Sequence, residues 1–168
     1  HIHGAGSAQW LLDLQYTDRA LADLAERLPR GTLLLVTGDH GMVNCPDDAR
    51  VNIDDPALQA PLRRMAGEPR MRHLYVKQGY PAADTAGVWQ RHLGDAAVVL
   101  TRDEAVAAGW FGPVAAGIGG RSGDVIALPT GDGALVSQRF DSIVSGLRGQ
   151  HGGLTPMELR VPLLGWRS

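Results

Sequence analysis

TLLLVTGDHGM, residues 32–42, decides how the chain is read. The apolar run Leu33 to Val36 predicts a buried strand, and Thr37, Gly38, Asp39, His40 and Gly41 follow at once. An acid and an imidazole side by side between glycines are costly to crowd together unless something binds them, and a divalent metal suits both. On a regular strand neighbouring side chains point to opposite faces, but at a strand end that turns into a glycine loop both can converge. In open α/β sheets that end is where ligands bind. The plainer alternative is a tight turn, with Asp39 bonded to local backbone and His40 solvated.

Upstream of this stretch, Ser7 can cap a helix. Trp10, Leu11, Leu14, Leu21, Leu24, Ala25 and Leu28 then recur at helical spacing until Pro29 and Gly31 end the pattern. Helix, tight loop, apolar strand predicts an α/β fold, a layered and mostly parallel sheet flanked by helices, with strands buried on both faces. Downstream, residues 44–70 are rich in Pro, Asp and Arg and predict an irregular excursion with one short helix. A strand over 72–77, a helix over 83–94, a strand over 96–101 and a short helix over 102–110 follow. They predict a small α/β subdomain inserted over 67–120 within one catalytic domain whose C-terminal part is 1–168. Residues 111–123 read as a glycine-rich loop. DVIALP and GALVSQ predict a hairpin around Thr130 to Gly133. Thr155, Pro156 and Glu158 open a short capped helix, and VPLLGW a final strand.

Length and charge narrow the classes. The 168 residues are the length of one domain, with 44% apolar and 20% charged content as in ordinary globular proteins. A net charge of −2 gives no signature of nucleic-acid or anionic-membrane binding. No apolar run approaches the roughly 20 residues that cross a bilayer. Cys45 is alone, which excludes an intrachain disulfide and makes a cytoplasmic location the expectation. The chain opens HIHGAGS with neither Met nor leader pattern, so it reads as the remainder of a longer chain.

Other residues could carry chemistry. In GQHGG, 149–153, glycines on both sides of His151 let backbone approach a ligand closely. His1 and His3 share one face of an extended segment, a spacing that can chelate. His73 and His92 sit in ordinary strand and helix patterns and read as structural, and Cys45 as a spectator. GIGGRSGD, 117–124, lacks phosphate-loop spacing, which leaves Arg121 as a residue of the site mouth. GEPRMRH, 67–73, reads as a solvated loop, and Trp10, Trp89 and Trp110 as packing residues.

The order of the motifs says more than any one of them. HIHG, an amphipathic helix, a strand ending TGDHGM, a long insertion and QHGGLTPMELRVPLL resemble the C-terminal half of the alkaline phosphatase superfamily. Within it the closest resemblance is to the type I phosphodiesterase/nucleotide pyrophosphatase branch. The matches are His1 with Gly4, Asp39-His40-Gly41, and His151-Gly152-Gly153 followed by Glu158. The resemblance implies a partial alkaline phosphatase-like core and two divalent metal ions, usually zinc. One ion would be held by His1, His151 and an Asp upstream, the other by Asp39, His40, another Asp and a Thr or Ser nucleophile. The nucleophile and both extra Asp ligands have no counterpart in this sequence, so no catalytic residue is assigned in it. Two protein ligands per metal fall short of the three a catalytic zinc wants, so the 168 residues alone are expected to be nearly inactive, with an exposed apolar edge.

The expected function is therefore metal-dependent hydrolysis of a phosphodiester or nucleotide pyrophosphate, with a small-molecule phosphodiester or nucleotide as substrate. A phosphomonoesterase, sulfatase or mutase of the same superfamily is the near alternative. A non-catalytic α/β binding module, in which the histidine motifs are loop turns, is the distant one.

Overall fold

The structure is a computed structural model that describes residues 1–115, 117 and 119–168. The chain begins with helix α1 (Ala8–Arg27) and strands β1 (Leu33–Thr37), β2 (Val43–Asn44) and β3 (Arg50–Asn52). Helix α2 (Pro56–Gln59), strands β4 (Leu62–Glu68) and β5 (Met71–Val76), helix α3 (Ala82–Leu93), strand β6 (Ala97–Thr101) and helix α4 (Arg102–Ala107) follow. The remainder is β7 (Val125–Pro129), β8 (Ala134–Val136), helix α5 (Gln138–Ser145), β9 (Gly149–Gln150), helix α6 (Pro156–Leu159) and β10 (Leu163–Arg167). The α/β class is as expected.

The main core lies between one sheet and one helix. β4, β5, β7 and β6 form, in that order, an antiparallel sheet. Trp89 of α3 is fully buried against Leu58, Leu74, Val125 and Leu135, and its indole N–H donates to the Leu58 carbonyl at 3.0 Å. Met71, Ala105 and Ile126 centre a second cluster, joined by Trp110, Phe111 and Leu154. Thr101 caps α4 with Glu104 reaching back to it, so the strand-to-helix join is sharp.

Several local expectations change. Parallel pairing is confined, among the described residues, to β3 with β8; β1 pairs antiparallel with β10, and β2 antiparallel with β9. The reason is topological: β10 returns along β1 directly after the α6 turn, and β4–β5 is a tight hairpin. β1 is not buried on both faces, since Leu33 and Leu35 are 60% and 61% exposed. The turn at Thr130 forms, with Gly133 N–H donating to its carbonyl at 3.0 Å, but the flanking strands do not pair with each other. Instead β7 joins β5 and β6, and β8 crosses to β3. Residues 62–68 are strand rather than irregular chain, and α5 occupies a stretch where no element is expected. Of the expected loop 111–123, residues 116 and 118 lie outside the described residues.

Candidate metal centre

Three segments far apart in sequence meet at one end of β1. The antiparallel pair β2–β9 sets Val43 opposite Gln150, which brings the loop after β1 beside the loop after β9. The N-terminal segment docks on the same pair: Gly149 N–H donates to the His1 carbonyl at 2.8 Å, and Asn44 holds Ala5 through both its amide groups. His1, His40 and His151 each place a ring nitrogen within 4.8 Å of the other two. The His40 and His151 rings stack with centroids 3.6 Å apart and 4° between planes; His1 stands 5.3 Å from His151 and 5.9 Å from His40.

Two of these rings are oriented by backbone. His1 Nδ1 lies 2.9 Å from the Gly149 carbonyl, and His40 Nδ1 lies 2.7 Å from the Gly41 carbonyl. A carbonyl oxygen only accepts, so each Nδ1 carries a proton, which leaves Nε2 as the nitrogen that can serve as a metal ligand. That arrangement is the one a metal-binding histidine needs, with the other nitrogen held by a carbonyl. These partners are invisible in the sequence because a backbone carbonyl has no residue letter. Burial first, and the adjacent His40 ring second, hold the His151 imidazole below its ordinary pKa, so its neutral form is favoured.

Asp39 stands apart from the three. Its side chain is exposed, one oxygen accepts from the His40 backbone N–H at 3.0 Å, and the other lies 3.7 Å from His40 Nε2. Its own backbone N–H and the His40 ring hold its carboxyl below the usual carboxylate range, so an anion is ready there. The turn contact expected of an Asp before a glycine loop is present, and it coexists with a carboxylate lying beside the histidine group.

The glycines of the motifs have a steric cause. A Cβ on Gly41 would lie 1.9 Å from the Met157 carbonyl oxygen, and one on Gly153 would lie 2.7 Å from a Glu158 oxygen. Gly152 has φ of +105°, a conformation other residues rarely adopt. Glu158 is buried at the base of the site. It accepts from Gly153 N–H at 2.8 Å, from Thr155, and from Arg70 through two parallel contacts of 2.9 and 2.8 Å. Burial pushes its carboxyl up, but Arg70, Thr155 and Gly153 outweigh it and hold the group below the usual range.

The remaining singled-out residues are elsewhere. His3 is not part of the histidine group. His73 is half-buried, its Nδ1 accepts from Gly123 N–H at 3.2 Å, and burial holds its pKa down, as suits a structural residue. Cys45 is buried, which pushes its thiol pKa up. Arg121 receives the Tyr75 hydroxyl on its carbonyl at 2.7 Å. The 67–73 segment is no solvated loop: Arg70 and Arg72 are buried, paired with Glu158 and Asp141 respectively.

Three imidazoles, two of them with Nδ1 tethered to a backbone carbonyl, and an adjoining carboxylate are a donor set suited to zinc and similar divalent ions. No helix among the described residues is long and apolar enough to cross a membrane.

The family model for type I phosphodiesterase/nucleotide pyrophosphatase matches residues 1–153. Comparison with curated proteins returns no match. Among solved structures, human ectonucleotide pyrophosphatase/phosphodiesterase 5 superposes with a TM-score of 0.74 at 18% identity, over 98% of this chain and 43% of that one. Phosphonoacetate hydrolase from Sinorhizobium meliloti 1021, in complex with phosphonoformate, gives a TM-score of 0.67 at 22% identity, over 99% and 43%. The murine ectonucleotide pyrophosphatase/phosphodiesterase 5, as an inactive variant in complex with AMP, gives 0.74 at 16% identity, over 97% and 42%. The chain thus spans less than half the length of these structures, and at such identities the likeness is one of fold.

Proposed function

The chain belongs to the type I phosphodiesterase/nucleotide pyrophosphatase family, and on that premise we propose that it supplies part of a metal-dependent site hydrolysing a phosphodiester or nucleotide pyrophosphate. The observation that carries the reading is the meeting of His1, His40 and His151 with ring nitrogens within 4.8 Å of one another. Two divalent ions, zinc by preference of the donors, would be held by His1 and His151 and by Asp39 and His40. Bound metal screens the anionic oxygens of the ester and stabilises the attacking and leaving oxygens of an in-line displacement.

The chain's own residues do the preparing. Gly149 and Gly41 carbonyls hold a proton on Nδ1 of His1 and His40, which orients each ring and leaves Nε2 as the nitrogen turned to ligand duty. Asp39 adds negative charge next to His40, offsetting the cationic load of the site. The resemblance implies that a Thr or Ser nucleophile and further Asp ligands come from outside residues 1–168. The substrate class is a small phosphodiester or nucleotide, a reading supported by the AMP complex of the murine neighbour. The antiparallel sheet of β4, β5, β7 and β6 with α3 and α4 runs from residue 62 to residue 129, and in this reading the inserted unit has those wider bounds in place of the expected 67–120.

The test is Asp39→Asn in the full-length protein. Hydrolysis of a model phosphodiester should fall by several orders of magnitude, while circular dichroism and melting temperature stay as in the wild type. Undiminished diester hydrolysis would refute the assignment, and a rate greater on monoesters than on diesters would replace the substrate class.

A further inference from the structure

We infer that Arg70 is a positioning residue for the three-histidine site, acting through Glu158; the inference rests on the metal-site reading above. Arg70 lies in the turn between β4 and β5, far from every histidine motif in sequence, and its side chain is fully buried. Its Nε and Nη2 each donate to one oxygen of Glu158, and its Nη1 donates to the Gly133 carbonyl. A buried guanidinium with each of its three nitrogens engaged has one rigid position, which a point-charge ammonium does not reproduce.

What Glu158 does with that rigidity ties the pair to the site rather than to the core. Its backbone carbonyl accepts from Gly41 N–H at 2.7 Å, one residue after His40. Its carboxylate accepts from Gly153 N–H at 2.8 Å, two residues after His151. One residue thus grips both histidine loops, and Arg70 fixes the carboxylate end. The β4–β5 hairpin that carries Arg70 also walls the loop from outside, since a Cβ on Gly152 would lie 3.2 Å from Glu68 Cβ at the end of β4. The spacing of the stacked His40 and His151 rings follows from this arrangement. The β2–β9 ladder pairs just two residues of each strand, so without the Glu158 bridge the two loops would have room to splay.

The expected result for Arg70→Lys in the full-length protein is a zinc affinity lowered about 10–100-fold, the usual effect of losing a group that orients metal ligands. Affinity is read by calorimetric titration with zinc at a temperature where circular dichroism shows the variant folded. Arg70→Ala should lose more and regain affinity when guanidinium ion is added, read where circular dichroism shows the variant folded both with and without the ion, so that the recovery is one of positioning and not of fold. Zinc affinity equal to wild type in folded Arg70→Lys overturns the inference while leaving the metal site standing. A wild-type protein that takes up no zinc overturns the metal-site reading itself, and the inference falls with it.

Discussion

Gly41 has no room for a side chain, because the backbone of α6 passes where its Cβ would be. Gly41→Ala must push that turn, and with it Glu158, away from the His40 loop. Overpacking of this kind costs about 1–3 kcal/mol, so the chemical-denaturation midpoint should drop while the slope stays constant. Gly120→Ala is the control: a Cβ there meets nothing within 4 Å among the described residues, and its midpoint should stay within about 0.5 kcal/mol of wild type. The same residues show how much of the site could be read in advance. The histidines and their glycines are legible because the glycines are demanded by close approach, which leaves a letter in the sequence. The carbonyls that orient His1 and His40 leave none. Arg70 and Glu158 are separated by 88 positions, so no local pattern joins them.

At the scale of elements, tertiary contacts decide where the local signal is weak. α1 and α3 announce themselves by apolar spacing and by Ser7, whose hydroxyl accepts from Trp10 N–H at 3.1 Å. β4 does not, because Arg63, Arg64 and Gly67 break its alternation. α5 is hidden for a related reason: Asp141 departs from helical geometry inside it and pairs with buried Arg72 of β5. That pair should behave as buried ion pairs do. Asp141→Ala strands the Arg72 charge and is expected to cost about 3–5 kcal/mol. Arg72→Met combined with Asp141→Leu should recover much of that loss, and a fully additive double variant would contradict the coupling. In α3, Gly87 is mid-helix, where a Cβ would meet only the flexible end of Arg91. Gly87→Ala should therefore raise stability by about 0.5–1 kcal/mol. His73 gives β5 a pH signature. Its folded pKa lies below 6.5, so its contribution is complete above 6.5 and is lost as pH falls through the lowered value. His73→Asn keeps an acceptor for Gly123 N–H but does not titrate, and the variant should show less acid destabilisation than wild type below pH 6.5.

Across the whole molecule, apolar surface is distributed unevenly. The β4–β7 sheet and α3 enclose a closed core, whereas the other end of the chain leaves its apolar side chains in the open. Of the helical stripe on α1, Ala25 alone is buried, and Trp10, Leu11, Leu14 and Leu24 are exposed. The β1–β10 ladder adds Leu33 and Leu35 from β1 and Leu163 and Leu164 from β10, all exposed. Contiguous patches on stable monomers rarely exceed a few hundred square ångströms, and larger ones mark association. An exposed two-strand ladder also offers unpaired backbone groups at its edges. The 168-residue chain by itself is therefore expected to self-associate, with a sedimentation coefficient that rises with protein concentration and with binding of a hydrophobic dye in the folded state. Leu35→Thr with Leu164→Thr keeps residues suited to a strand while removing apolar area from the ladder. That double variant should shift the distribution toward monomer without changing the far-ultraviolet spectrum. A wild-type chain that stays monomeric at high concentration and binds no dye would show that these side chains find cover within the chain, and the open α1–β1–β10 surface would have to be abandoned.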